Sequence, residues 1–178
     1  MKQVILLGRG GQGAVTSSRV LAIAAFEDGK HSQAFPNFGV ERMGAPVRSY
    51  CRIGDEPINL REQVYEAEYA IILDPTLLDG FHEKVTEMII VNSGKKPGEL
   101  GIKTGAEIKT VDITKVALEK IGKPFVNIAA LAAFAGFTGV VSLKALETAV
   151  QKQMGNKGPI VEKNIAAVRE VYKQSGGK

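Results

Sequence analysis

A short apolar run followed at once by closely spaced glycines constrains this chain more than any other feature. The run Val4–Leu7 has the length and composition of a buried strand, and the six residues after it read Gly-Arg-Gly-Gly-Gln-Gly. A helical pattern begins at Ala14. Glycine tolerates the backbone angles of a tight strand-to-helix turn and lets the main chain approach a ligand closely. The sequence therefore predicts a β-strand, a glycine turn and an α-helix, the first unit of an α/β fold.

The predicted turn is also a candidate site for an anionic ligand. The first amides of a helix lack intrahelical partners and lie at the positive end of the helix dipole, which suits a phosphate or a carboxylate. Thr16, Ser17 and Ser18 in the first helical turns favour the same kind of group. The predicted cofactor-binding residues of the turn are Gly8, Arg9, Gly10, Gly11, Gln12 and Gly13. Their spacing also matches G-x-G-x-x-G, but that match alone is weak, and a purely structural glycine turn stays open.

A nicotinamide or flavin dinucleotide is disfavoured by the residues after the turn. Binding of its ribose needs a carboxylate about twenty residues further on, at the end of the second strand. Glu27 and Asp28 instead fall where the first helix should end, and the predicted second strand, His31–Phe35, runs into Pro36 without an acidic residue. A P-loop is excluded because the glycines are not succeeded by Gly-Lys-Ser/Thr.

Composition narrows the function classes further. The chain has 178 residues, 44% of them hydrophobic and 24% charged, with a net charge of +4, and this is a globular composition without a nucleic-acid-binding pattern. Its one cysteine, Cys51, cannot ligate an iron–sulfur cluster or a structural zinc, and no motif predicts a catalytic residue or a metal site. The uncharged stretch 124–143 is interrupted by polar residues and glycines, so we expect a buried helix, no membrane partner, and a cytoplasmic protein.

Apolar runs alternate with helical patterns along the chain, which indicates a mostly parallel sheet. The fold class predicted is α/β, as a single Rossmann-like domain over residues 1–178 with a helical C-terminal third. The predicted strands are Val4–Leu7, Ser32–Phe35, Val47–Ile53, Ala70–Leu73, Met88–Asn92 and Glu107–Val111. The predicted helices are Ala14–Glu27, Leu60–Glu66, Leu77–Val85, Ile113–Ile121, Ile128–Phe137, Leu143–Met154 and Ile160–Gln174, with Ser142 as an N-cap.

Two of the predicted strands end in polar residues. Asp74 comes directly after the strand that ends at Leu73, and Asn92 ends the next one. In a doubly wound sheet these carboxyl ends line the same crevice as the first glycine loop, where such folds bind ligands. Asp74 and Asn92 are therefore further candidate site residues. Either side chain could equally cap a turn or a helix.

The stretch 34–48 is too apolar and too long for an ordinary solvated turn, and it mixes proline, glycine, aromatic residues and arginine. Six of the seven arginines of the chain lie in its first 61 residues, and arginine is the usual side chain for interface ion pairs and bidentate anion binding. Surface ion pairs within the chain are the other interpretation. We predict a partner-binding segment whose interface residues are Phe38, Gly39, Glu41, Arg42 and Met43.

Taken together, two motifs resemble a known family. The glycine turn with Phe-Gly-Val-Glu-Arg-Met-Gly-Ala-Pro-Val at 38–47, and then Arg-Ile-Gly-Asp-Glu-Pro-Ile at 52–58, is similar to the gamma subunits of the 2-oxoacid:ferredoxin oxidoreductases. The likeness continues through 127–131 and 139–143, and so covers nearly the whole chain. The form Glu-Arg-Met-Gly-Ala-Pro at 41–46 resembles the pyruvate and branched-chain 2-oxoacid members and favours pyruvate, without deciding between the two.

The resemblance implies a complex that decarboxylates a 2-oxoacid oxidatively with coenzyme A and passes the electrons to ferredoxin. It implies that alpha, beta and delta-type subunits, or other domains of a fused chain, hold thiamine diphosphate, Mg²⁺ and the [4Fe-4S] clusters. It associates the gamma subunit with coenzyme A binding and assembly, and implies that this chain is inactive alone. An independent nucleotide-binding or regulatory module stays open as the alternative.

Overall fold

The computed structural model describes residues 1–37, 43–155 and 158–177. Within these ranges the chain forms six strands and five α-helices. In chain order they are β1 (Lys2–Arg9), α1 (Ala14–Glu27), β2 (His31–Pro36), β3 (Pro46–Gly54), β4 (Glu66–Ile72), β5 (Lys84–Asn92), β6 (Glu107–Val111), α2 (Ile113–Lys120), α3 (Asn127–Thr138), α4 (Leu143–Met154) and α5 (Pro159–Gln174). Two short 3₁₀ segments, Pro75–Gly80 and Pro97–Glu99, lie between strands.

The strands form one mixed sheet in the order β2-β3-β1-β4-β5-β6. β1, β4, β5 and β6 pair in parallel, whereas β3 is antiparallel to both of its neighbours. Five strands therefore share one direction and β3 opposes them. The predicted fold class, an α/β domain with a mostly parallel sheet and a helical C-terminal third, is confirmed.

All five helices lie on one side of this sheet, which we call the helix-covered face: α1 and α3 contact the strands, and α2, α4 and α5 pack against other helices. Its core combines alternate strand residues such as Leu6 and Ile71 with buried residues from every helix. Cys51 lies in this core with no exposed surface, and burial raises the pKa of its thiol. Helix α3 lies deepest: its residues from 128 to 135 are all buried.

Small residues let α3 approach α5 closely. A β-carbon on Gly136 would stand 2.9 Å from the Tyr172 carbonyl oxygen and 2.8 Å from the Ser175 β-carbon. The N-cap predicted at Ser142 is also present, because its hydroxyl oxygen accepts from the amide of Ala145 at 3.1 Å. No helix of the described residues has both the length and the hydropathy that a membrane span requires.

The opposite face is covered by loops and 3₁₀ segments, and we call it the loop-covered face. Strand residues such as Ile5 and Ile72 are buried there beneath Val64, Leu77 and Ala106, which belong to no α-helix. The structure places on this side two segments for which helices were predicted, Leu60–Glu66 and Leu77–Val85, and both predictions are wrong.

The first of these segments has irregular backbone and is held by a buried arginine. Arg52 donates from Nη1 to the Leu60 carbonyl oxygen at 3.1 Å and from Nη2 to the Glu62 carbonyl oxygen at 2.6 Å. In a helix these two carbonyl oxygens would accept from backbone amides, and here the guanidinium takes the place of those amides. A helix of only seven residues would also be marginally stable. Glu66 then begins β4.

The second segment forms only the 3₁₀ turn Pro75–Gly80, because a strand begins soon after it. From Lys84 onward the chain pairs with β4 as part of β5, four residues earlier than the apolar run beginning at Met88 predicted. The pairing of backbone groups across the sheet outweighs the local helical pattern.

Candidate functional site

The glycine turn joins β1 to α1 as predicted, and two of its glycines have backbone angles that other residues rarely adopt. Gly11 has φ of 94° and Gly13 has φ of 83°, both in the left-handed region. A β-carbon would also lack room, since it would stand 3.0 Å from the Met43 sulfur at Gly11 and 2.6 Å from the Asn127 side-chain nitrogen at Gly13. These two positions therefore require glycine.

The rest of the turn is closed by hydrogen bonds within the protein. The amide of Gly10 donates to the Ala45 carbonyl oxygen at 2.7 Å, and its carbonyl oxygen accepts from the amide of Gly44 at 3.1 Å. The Gln12 side chain accepts from the Arg9 amide at 2.7 Å. A β-carbon on Gly8 would stand 3.1 Å from the Leu73 side chain, so this glycine permits close strand packing.

The start of α1 is the part of the turn that faces a cavity. Gly13 is the N-cap and no side chain of the described residues caps this helix. The cavity has a volume of about 380 Å³ and is open to solvent. Its lining residues are Arg9, Gly10, Gly11, Gly13, Ala14, Val15, Thr16, Met43 and Val47. Uncapped helix amides next to a cavity of this size can bind an anionic group.

Of the three hydroxyl residues predicted to favour an anion, the structure brings only Thr16 to the cavity. The Ser17 hydroxyl donates into the protein, to the carbonyl oxygens of Gly13 and Asn127, both at 3.0 Å. Ser18 is buried and its hydroxyl lies 2.6 Å from that of Ser49. The two serines thus join α1 to its neighbours.

Asp74 lies beside the turn, where the register of the parallel strands predicted it. Its Oδ2 accepts from Arg9 Nε at 3.0 Å and from Gln12 Nε2 at 3.2 Å, and its Oδ1 accepts from the Thr76 amide at 2.9 Å and from the Thr76 hydroxyl at 2.6 Å. Burial alone would raise the pKa of Asp74, but these hydrogen bonds and the charge of Arg9 outweigh it, so the pKa lies below its ordinary value.

Asn92 is not among the residues that line the cavity. Its side-chain nitrogen donates to the Leu73 carbonyl oxygen and to the Thr114 hydroxyl, both at 2.9 Å, and its Oδ1 accepts from the Thr114 amide at 3.1 Å. The side chain therefore connects the end of β5 to the end of β4 and to α2. A ligand contact by Asn92 stays a prediction.

The predicted interface segment lies largely outside the described residues. Phe38, Gly39, Glu41 and Arg42 fall there, whereas Met43 is described and is 91% exposed. Among the other arginines of this region, Arg48 pairs with Glu83. Arg52 is only 1% exposed and contacts Gln3, Gln33 and backbone carbonyls. These two arginines therefore have partners within the chain.

Sequence reasoning missed two groups that shape the turn. Asn127 lies at the first residue of α3 and touches Gly13, and the Gly44–Ala45 backbone pairs with Gly10. The position of Asn127 after the uncharged loop 124–126 was the available signal, because asparagine is common where a helix begins. Its meeting with Gly13 depends on the packing of α3 against α1.

Comparison with known proteins assigns the chain to a family. Residues 3–174 match the family model described as pyruvate ferredoxin/flavodoxin oxidoreductase. The chain belongs to this family. The predicted resemblance is thereby confirmed, and the chain is a gamma subunit of a pyruvate synthase or 2-oxoacid:ferredoxin oxidoreductase.

Individual relatives agree. The chain is 49% identical over 155 residues to the pyruvate synthase subunit PorC of Methanosarcina barkeri, covering 85% of each chain. It is 43% identical to the common gamma subunit of the pyruvate/ketoisovalerate oxidoreductases of Pyrococcus furiosus, covering 98% of this chain and 97% of that one. The crystal structure of the pyruvate oxidoreductase subunit PORC from Thermotoga maritima matches with a TM-score of 0.84 and 36% identity, covering 97% of both chains.

Proposed function

We propose that this gamma subunit works in a complex that converts pyruvate and coenzyme A to acetyl-CoA and carbon dioxide while ferredoxin is reduced, and that its glycine turn holds part of coenzyme A. The uncapped start of α1 at the cavity carries this proposal. Coenzyme A bears phosphate groups, and helix amides with a positive dipole end stabilise phosphate. The main chain, rather than a catalytic side chain, would make these contacts.

A structural relative is consistent with this site. A 2-oxoglutarate:ferredoxin oxidoreductase from Magnetococcus marinus, solved with 2-oxoglutarate, coenzyme A and succinyl-CoA bound, shares the fold with a TM-score of 0.76 at 18% identity, and this chain covers 31% of it. That likeness is one of fold. About a third of that longer chain therefore has this architecture.

The cofactors of the reaction are proposed to lie in alpha, beta and delta-type subunits. Thiamine diphosphate with Mg²⁺ would supply the decarboxylation chemistry there, and [4Fe-4S] clusters would carry electrons to ferredoxin. The described residues contain no group of three or more His, Cys, Asp or Glu side chains that could hold a metal ion, and Cys51 is buried in the core. We likewise propose a cytoplasmic complex without nucleic-acid or membrane partners.

The choice of 2-oxoacid is proposed to be pyruvate, with most of the discrimination made by partner subunits. The relatives from Pyrococcus and Thermococcus carry the description of a gamma subunit common to pyruvate and ketoisovalerate oxidoreductases. A shared subunit of that kind cannot distinguish the two acids by itself. The motif at 41–46 therefore indicates the branch of the family rather than the substrate contact.

The topology argues against a classical dinucleotide site. In that site the strand beside β1 is parallel to it and ends in the carboxylate that binds the ribose. Here the antiparallel strand β3 takes that position, and β2 lies one strand further out. Saturable binding of NADH to the isolated chain would contradict the proposal and favour an independent nucleotide-binding module.

The coenzyme A proposal is tested by Gly11→Val in the assembled complex. Valine cannot adopt φ of 94° without strain, and its β-carbon would meet Met43. We expect a raised KM for coenzyme A, or a slower acyl-transfer half-reaction, with decarboxylation of pyruvate less affected. Gly29→Val is the matched control, since Gly29 also has a positive φ, of 75°, but lies in open space beyond the other end of α1. Equal effects of the two variants on coenzyme A kinetics would refute the site.

The assembly proposal is tested at the segment beside Met43. Arg42→Ala should weaken association with partner subunits, because removing a buried charged anchor costs about 2–5 kcal/mol when its partner is left unpaired. Phe38→Asp should weaken association as well, because it would bury an unpaired charge in the interface. Analytical size exclusion with the partner subunits measures this. Arg19→Ala, at an exposed position of α1, is the control. Normal assembly of both variants, with loss of thermal stability in the chain alone, would make the segment structural.

The isolated chain should contain neither iron nor thiamine diphosphate and should not oxidise 2-oxoacids. Metal analysis and the visible spectrum of the purified polypeptide check this. Stoichiometric iron–sulfur absorption would overturn the assignment of the clusters to other subunits.

A further inference from the structure

The guanidinium of Arg9 connects segments that are distant in sequence. Its Nε donates to Asp74 Oδ2 at 3.0 Å, its Nη1 donates to the Gly44 carbonyl oxygen at 3.1 Å, and its Nη2 donates to the Thr76 hydroxyl at 2.6 Å. Each of its three nitrogens thus has a protein partner. The partners lie before β3 and after β4, whereas Arg9 itself ends β1.

The charge of Arg9 is balanced at the same place. Asp74 is its ion-pair partner, and the side chains of the pair are 37% and 15% exposed. Gln12 and Thr76 complete the hydrogen bonding of the carboxylate. A guanidinium held in this way by a carboxylate attracts a phosphate less strongly than an unpaired arginine would.

The segment fixed by Arg9 Nη1 forms part of the cavity. Gly44 and Ala45 pair with the backbone of Gly10, and the Met43 sulfur lies 3.0 Å from the position that a β-carbon on Gly11 would occupy. Met43 also lines the cavity. The hydrogen bond between Arg9 and Gly44 therefore joins residues 43–45 to the glycine turn, beside the backbone hydrogen bonds of Gly10.

We infer that Arg9 is a positioning residue rather than an anion-binding residue: with Asp74 it holds residues 43–45 against the glycine turn and so sets the shape of the cavity. This inference rests on the proposed coenzyme A site. According to this inference, the backbone amides at the start of α1 bind the anionic groups of the ligand. Arg9 does not contact the ligand, although its position in the glycine turn predicted such a contact.

The two roles of Arg9 predict opposite effects of Asp74→Asn. If Arg9 bound phosphate, loss of the competing carboxylate would strengthen that contact and lower the KM for coenzyme A. If Arg9 positions residues 43–45, loss of its charged partner loosens that segment. The KM for coenzyme A then rises by about tenfold, the size expected for loss of a charge-assisted hydrogen bond. The kcat at saturating coenzyme A and the KM for pyruvate should change little.

Substitution of Arg9 by lysine distinguishes the anion-binding role from the positioning role in a second way. Arg9→Lys keeps the charge but cannot reach three acceptors in one plane. A phosphate contact would be largely restored by lysine, whereas a positioning role would not. We expect Arg9→Lys, Arg9→Ala and the Arg9→Ala/Asp74→Asn double variant to raise the KM for coenzyme A by similar factors, because all three break the same connection.

The experiment measures the KM for coenzyme A, the KM for pyruvate and kcat of the assembled complex, with Gly11→Val alongside. Thr76→Val removes the exposed hydroxyl that accepts from Arg9, and it tests the inference even if the charge variants fail to assemble. This variant should raise the KM for coenzyme A about threefold. A lowered KM in Asp74→Asn, rescue by Arg9→Lys, or an unchanged KM in both Asp74→Asn and Thr76→Val overturns the inference. Unchanged coenzyme A kinetics in Gly11→Val overturns the proposed function instead.

Discussion

The two faces of the sheet are built by different means. On the helix-covered face all five helices contribute apolar side chains to one continuous core. On the loop-covered face the core is smaller, and its outer layer comes from loops and 3₁₀ segments, with Val64, Leu77 and Ala106 among its buried residues. In doubly wound folds helices cover both faces. In the described part of this chain, therefore, one face of the sheet is covered by helices and the other by irregular backbone.

The difference matters because the glycine turn lies where the two faces meet. α1 belongs to the helix-covered face, and the segment that begins at Asp74 belongs to the loop-covered face. Irregular backbone does not satisfy its own hydrogen bonds, so polar side chains must do so. Arg52 does this beneath the loop-covered face, and Arg9 does it at the carboxyl edge.

The largest expected effects on stability compare the packing of the two cores directly. Leu131→Ala in α3 should lower the free energy of unfolding by about 4 kcal/mol, because a cavity among packed helices cannot collapse. Leu77→Ala should cost about 2 kcal/mol, since the 3₁₀ turn can relax onto the gap. Urea denaturation of the purified chain measures both. Equal losses would show that the loop-covered face is packed as rigidly as the other.

Arg52→Met should have an effect between those of Leu131→Ala and Leu77→Ala. The substitution keeps apolar volume but leaves the carbonyl groups of Leu60 and Glu62 without their donor, which we expect to cost about 2–3 kcal/mol. Residues 60–64 should become sensitive to proteases before the sheet unfolds. Arg169→Met, which breaks an exposed pair with Glu147 on the helical side, is the control and should leave the free energy of unfolding almost unchanged. Similar costs for the two variants would contradict the anchoring role of Arg52.

The smallest expected effect is a dependence of stability on pH. Because the folded state lowers the pKa of Asp74, its ionised form stabilises the fold above the ordinary carboxyl pKa of about 4, and this contribution is lost as the pH falls through the lower folded value. The amide of Leu77, which donates to the Asp74 carbonyl oxygen, should then be less protected from hydrogen exchange relative to its intrinsic rate at that pH, while the amide of Ala130 in α3 should keep its protection. Asp74→Asn should abolish this pH dependence of protection. A parallel loss of protection at Leu77 and Ala130 would indicate global unfolding instead.

The sequence predicted the regular elements well where hydrophobic periodicity and glycine placement agreed. All six predicted strands and the predicted α1, α2, α3, α4 and α5 are present with shifts of a few residues at their ends. The errors lie on the loop-covered face, at Leu60–Glu66 and in the segment after Leu77. There a short local pattern competes with contacts to Arg52 and with the pairing of β5, which local sequence does not reveal.

For the candidate site, parallel-strand logic correctly predicted that Asp74 would meet the glycine turn. It could not show that Asp74 would pair with Arg9, because that contact joins residues 65 positions apart and depends on how the turn is folded. The contact between Asn127 and Gly13 was hidden for the same reason.

The sequence by itself determined the strand, glycine turn and helix at the start of the chain, the family to which the motifs belong, and the lack of enough thiolates for a cluster. These are properties of local backbone preference and of residue type. The tertiary structure alone decided that the helices share one face, that β3 opposes its neighbours beside β1, and that Arg9 has Asp74 as its partner. Such features depend on which distant surfaces can be buried together with every backbone group satisfied, and no local pattern encodes that balance.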